Sequence, residues 1–112
     1  MRATFISKLA IGLFVAMTCF AKPALAQTTF GMPDCGEWTK LSKDRPADRA
    51  WLLGFISGLN VFYNLNGRPD DPLAKINSNL QIYAWMDNFC QKNPLSTTGL
   101  GGLDLHRELI KK

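Results

Sequence analysis

Histidine is nearly absent from this chain of 112 residues, and His106 is the single one. A Ser/His/Asp or Cys/His arrangement would have to be assembled around that one ring. No serine stands in a strained turn of the G-x-S-x-G form. Between Leu105 and Arg107, near a helix end, His106 is expected to be solvated. Cysteine is scarce as well, with 3 residues, no C-x-x-C pair and no Cys/His cluster. No metal site or cofactor is therefore expected. The adjacent carboxylates Asp70 and Asp71 fit a helix-capping turn better than acid/base work. The segment Gly54 to Gly58 has no following lysine and lies in a helical pattern, so it is not a phosphate loop. Internal repeats, low-complexity tracts and sustained period-two alternation are also missing. Together these absences argue against an enzyme and against a sheet-based fold.

What is present begins with an export pattern. Arg2 and Lys8 flank an acid-free start, and Leu9 to Phe20 is an apolar run of about a dozen residues. Ala24-Leu25-Ala26 supplies the small residues that a signal peptidase accepts, which places the cut before Gln27. The run is too short to span a bilayer, which needs ~20 apolar residues. Cys19 is preceded by Ala16 and Thr18, which do not make a lipobox. The expected organisation is a cleaved signal over 1–26, a flexible leader over 27–33 and one domain over 34–112. The expected location is the periplasm, with no stable membrane anchor after cleavage.

Arg2, Lys8 and Lys22 leave with the signal, so the mature chain is nearly neutral and the basic excess belongs to the precursor. A neutral domain has no electrostatic footprint for nucleic acid or anionic lipid. A domain this small buries a marginal core and gains from a covalent staple. Cys35 and Cys90 remain as an even pair, which in an oxidising compartment reads as a disulfide.

Apolar spacing then predicts an all-α fold, a small single-domain bundle of about four helices with one disulfide. Asp34 and Glu37 form a D-x-x-E start for a short first helix. Pro46 suits the first turn of a long second helix. Trp51, Leu52, Phe55, Ile56, Leu59, Phe62 and Tyr63 fall on one side of it. Gly54 and Gly58, one turn apart, predict close approach by another helix. That helix ends near Asn66-Gly67, and a turn at Asp71-Pro72 follows. A third helix runs from Ile76 or Ser78 to Lys92 and is stopped by Pro94. Ser96 or Thr97 caps a last helix, whose first turn Gly99, Gly101 and Gly102 weaken.

Two features suggest function. Asp87 points into the apolar arc of its helix, as a carboxylate in a pH-sensitive contact would. Leu53, Val61, Trp85 and Phe89 fall off the main stripes and offer a partner surface.

The layout resembles the HdeA family of periplasmic acid-stress chaperones. The likeness rests on the Cys35-Gly36-Glu37-Trp38 turn, the helix containing Trp51-Leu52-Leu53-Gly54-Phe55, the later Cys90 and a lysine-ended tail. It implies an all-helical fold with a Cys35–Cys90 disulfide, a dimer at neutral pH, and exposure of apolar surface to unfolding clients in acid. Gly54-Phe55-Ile56-Ser57-Gly58 and Phe89-Cys90-Gln91-Lys92-Asn93-Pro94 also look like the Tai-type immunity proteins, whose cysteines are arranged differently. That likeness implies one specific toxin as partner, and an accessory subunit of an envelope assembly is a third reading. The partners expected are thus other proteins, a second copy among them.

Overall fold

Asp34 opens the first helix by accepting the Glu37 amide at 2.7 Å through Oδ1, satisfying one of the donors that a helix start leaves free. Glu37 does not return the bond and lies 3.7 Å from Arg45 instead. The computed structural model describes residues 28–41 and 45–112. The export segment expected over 1–26 lies outside them.

Helix α1 covers Cys35–Leu41 and α2 covers Pro46–Leu65. A single 3-10 turn follows at Pro72–Lys75, then α3 over Asn79–Lys92 and α4 over Thr98–Lys111. Among the described residues there is no strand, only an isolated bridge between Asp34 and Thr97. Each boundary has a local cause. Pro46 occupies the first turn of α2, and Gly67 beyond its end takes φ +80°, a conformation that glycine adopts without steric cost. Asp71 caps the 3-10 turn by accepting the Leu73 amide, and Thr97 caps α4 by accepting the Leu100 amide.

Helix α1 packs on α3, and α4 packs on both α2 and α3. Cys35, Trp38, Leu52, Ile56, Met86 and Cys90 form the fully buried centre. A disulfide joins Cys35 to Cys90, with Cα atoms 4.9 Å apart across a sequence separation of 55. Asp48 is also buried, with Oδ2 3.2 Å from the Arg45 Nε.

Residues 28–33, expected as a flexible leader, are tied at two points. Phe30 carbonyl accepts from the Trp51 indole at 2.8 Å. Pro33 carbonyl accepts from both the amide and the hydroxyl of the fully buried Thr98.

The glycines exchange the roles expected of them. Among the described residues nothing lies within 4 Å of where a Cβ on Gly54 or Gly58 would stand, so no described helix approaches there. The close approach is at α4. A Cβ on Gly101 would meet Met86 Sδ at 2.7 Å and Phe89 Cδ1 at 2.8 Å, and one on Gly102 would meet Phe55 at 3.0 Å. The glycines that cost α4 helix propensity are what let it sit against α2 and α3.

Candidate protein-binding surface

The four residues expected to form a partner surface do not share one. Leu53 is half-buried in a groove of about 350 Å³ between α2, the 3-10 turn and the start of α3. Leu73, Ile76 and Ile82 line it with Leu53, and Ser57, Asn77, Ser78 and Asn79 give it polar lining. Val61 lies on the outer side of α2 and is 58% exposed. Trp85 and Phe89, one turn apart on α3, stack with ring centres 5.5 Å apart and planes 11° from parallel. They line a second groove of about 290 Å³ with Asn88, Lys92, Asn93 and Glu108. The Trp85 indole donates to Glu108 Oε2 at 3.0 Å, which ties this face to α4. Lys112 also donates to Glu108, and that bond leads in holding its carboxyl below the usual range.

Asp87 is half-buried on α3, where its Oδ1 accepts the Trp38 indole N–H at 2.8 Å. The contact joins α1 to α3, the two helices that the disulfide also joins.

His106 is the site residue that the sequence misplaces. Expected to be solvated, it is only 7% exposed. One turn of α4 beyond Gly102, the ring turns toward α2, with Nε2 3.4 Å from Asn60 Oδ1. Tyr63 meets it edge-on at 5.5 Å. Burial lowers its pKa from the ordinary 6.5, because a charged ring there loses hydration. The groups around it carry the network outward. Asn60 donates to Asp71 at 2.8 Å, and the Tyr63 hydroxyl lies 3.1 Å from Asp70. Lys75 donates to the Leu109 carbonyl on the following turn of α4. A helix-terminal position suggested solvent, and only the packing of α4 on α2 encloses the ring.

Phe62 departs in the opposite sense. Counted with the core stripe, it is 67% exposed. It lies about 80° around the helix from Leu52 and about 120° from Ile56, beyond what α4 covers. Val61 and Leu65 are exposed beside it, at 58% and 80%. The signal that marks this face is readable in the sequence: from Ala50 to Gly67 there is no charged residue.

Among the described residues, no three of His, Cys, Asp and Glu gather to hold a metal, and no helix is long and apolar enough to cross a membrane. The arrangement offers apolar surface, hydrogen-bonding rims and one enclosed titratable ring. No known protein family, curated protein or solved structure matches the chain.

Proposed function

We propose that this protein is a non-enzymatic periplasmic protein-binding domain of the HdeA type, which holds unfolding proteins in acid. The observation that supports this reading is the enclosed His106 between α4 and α2. On acidification the ring must either stay neutral at increasing cost or charge and seek water. Behind the ring, Asn60 donates to Asp71 and the Tyr63 hydroxyl lies 3.1 Å from Asp70, so its neighbours on α2 are already engaged with other groups. Charging His106 therefore places a new cation on the face of α4 that packs against α2.

The staple is placed asymmetrically with respect to that change. The disulfide and the Trp38–Asp87 bond hold α1 to α3. No covalent link holds α4 to α2, and their packing depends on glycines and on Leu105, Leu109 and Ile56. Acid would loosen the α2–α4 seam first, adding those side chains to the apolar surface already exposed. A client is then bound by surface that the folded core keeps covered at neutral pH.

The test is light scattering with an apolar dye on the oxidised mature protein from pH 7 to pH 2. A client-aggregation assay runs alongside. Dye binding that rises in acid, together with suppressed aggregation of an unrelated client, supports the reading. A protein that binds no dye and protects no client at pH 2 sinks it. The search then turns to one specific partner at neutral pH.

A further inference from the structure

Asn66 is the one asparagine of seven in the chain that a glycine follows. That pairing carries chemistry of its own. The backbone nitrogen of the next residue can attack an asparagine side-chain carbonyl, and glycine, with no Cβ, leaves that nitrogen unshielded. The other asparagines do not match it. Asn93 precedes Pro94, whose nitrogen bears no hydrogen to lose. Asn60, Asn64, Asn79 and Asn88 lie within α2 and α3, each before a large apolar side chain. Asn77 precedes Ser78, whose Cβ shields the nitrogen.

We infer that Asn66 is a self-modification site, at which the Gly67 amide closes on the Asn66 side chain and the carboxamide becomes a carboxylate. The Gly67 nitrogen gives its proton to solvent and bonds to Asn66 Cγ. The Cγ–Nδ2 bond breaks, and ammonia leaves with a proton from solvent. Water then opens the five-membered imide at either carbonyl, giving aspartate or its β-linked isomer.

The fold holds this reaction back. Asn66 Nδ2 donates to the Phe62 carbonyl at 2.7 Å, which turns the carboxamide over the last turn of α2. The attacking nitrogen is also engaged, since the Gly67 amide donates to the Asn64 carbonyl at 3.0 Å. Asn64 Nδ2 in turn donates to the Arg68 and Asp70 carbonyls, at 3.0 and 2.7 Å, and pins the turn that follows. Asn64, Asn66 and Gly67 are all exposed at a helix end, the kind of place where a fold opens most readily. The reaction therefore follows the fraying of α2 and leaves a permanent record of it.

The product does not restore the cap. A carboxylate at position 66 has no N–H for the Phe62 carbonyl. It also sets a negative charge at the C-terminus of α2, whose last turn holds no base to offset it. It is the first charge between Ala50 and Gly67, beside the exposed Phe62 and Leu65. This inference does not rest on the acid-chaperone reading, because it concerns covalent chemistry of the oxidised protein with no client present.

Peptide mapping by mass spectrometry tests it, on the oxidised mature protein and on the same protein in urea, both held in mildly alkaline buffer at body temperature. In urea the one-dalton gain is expected at Asn66 before any other asparagine, and Gly67→Ala slows it at least about tenfold by shielding the nitrogen. In the folded protein the gain at Asn66 is expected within weeks, at least about tenfold more slowly than in urea, because the hydrogen bonds of the cap must open first. Asn64→Ala, altered at an exposed position, speeds the folded protein at least about threefold and leaves the rate in urea unchanged. Asn66→Asp, which carries the product's charge, is expected to melt at a lower temperature than the wild type. Another asparagine reacting first in urea overturns the inference, as does a Gly67→Ala protein that reacts as fast as the wild type. So does a folded protein that reacts at Asn66 as fast as the unfolded one, or not at all over those weeks. A folded rate indifferent to Asn64→Ala, or an Asn66→Asp protein that melts no lower, overturns the role given to the cap.

Discussion

The indole nitrogen of Trp38, a residue with no exposed surface, donates its proton to Asp87 at 2.8 Å. A buried N–H left without an acceptor costs about 1–3 kcal/mol, so Asp87→Leu is expected to lower stability by that amount. Trp38→Phe removes the donor as well and destabilises through lost packing, after which Asp87→Leu adds little. Urea melts of the two single variants and the double variant check this. Coupling of about 1 kcal/mol or more is expected, and simple additivity would show that the hydrogen bond contributes nothing.

The glycines of α2 and α4 should respond to alanine with opposite signs. Gly58→Ala adds a methyl group into open space on a helix and gains about 0.5–1 kcal/mol from propensity. Gly101→Ala gains the same propensity but drives its Cβ into Met86 and Phe89, and overpacking of this kind costs about 1–3 kcal/mol. The melting temperature is expected to rise for the first and fall for the second. If both rose, Met86 would have moved aside at no cost.

That reversal shows where the sequence stops being legible. The helices, their caps at Asp34 and Thr97 and the Cys35–Cys90 pair depend on neighbours in the chain or on residue counting, and all are readable from the letters. Which glycine meets another helix depends on how α4 lies across α2 and α3, and no local pattern encodes that. The same reason hides the enclosure of His106, which needs Asn60 and Tyr63 from another helix. Leu53, Trp85 and Phe89 pack against the edge of the core while Val61 is exposed, and angle around the helix axis alone did not separate the three from the one. A helix with packing on one side and a groove on its flank has no single boundary between inside and outside.

Reducing the disulfide should weaken the whole domain rather than one end. Cys35 and Cys90 are fully buried at the centre of the core. The closed loop of 55 residues corresponds to roughly 4 kcal/mol in the chain-entropy account. For a domain of this size that is a large share of a typical net stability of about 5–15 kcal/mol. The double variant Cys35→Ser/Cys90→Ser is expected to unfold at markedly lower urea than the oxidised protein. It should retain the α-helical circular dichroism signal only in stabilising conditions. A midpoint unchanged by reduction would mean that the Trp38–Asp87 contact and the surrounding packing suffice to hold α1.

His106 fixes the first step of the acid response. Its folded pKa lies below the ordinary 6.5, so between the two values the unfolded chain binds more protons than the native state. Stability therefore rises with pH across that window, and it is lost as the pH falls through 6.5 toward the folded value. Below the folded value the ring is charged in both states and its contribution no longer changes. Glu108 acts in a separate, lower window. Its folded pKa is depressed below 4.5, so its contribution is present above 4.5 and is lost as the pH falls through the folded value. The melting temperature of the wild type is expected to drop between pH 7 and pH 5, and that of His106→Gln to stay nearly level there. Both should fall together below pH 4.5. Equal slopes for the two proteins between pH 7 and pH 5 would remove His106 from the acid response and leave it to the carboxylates.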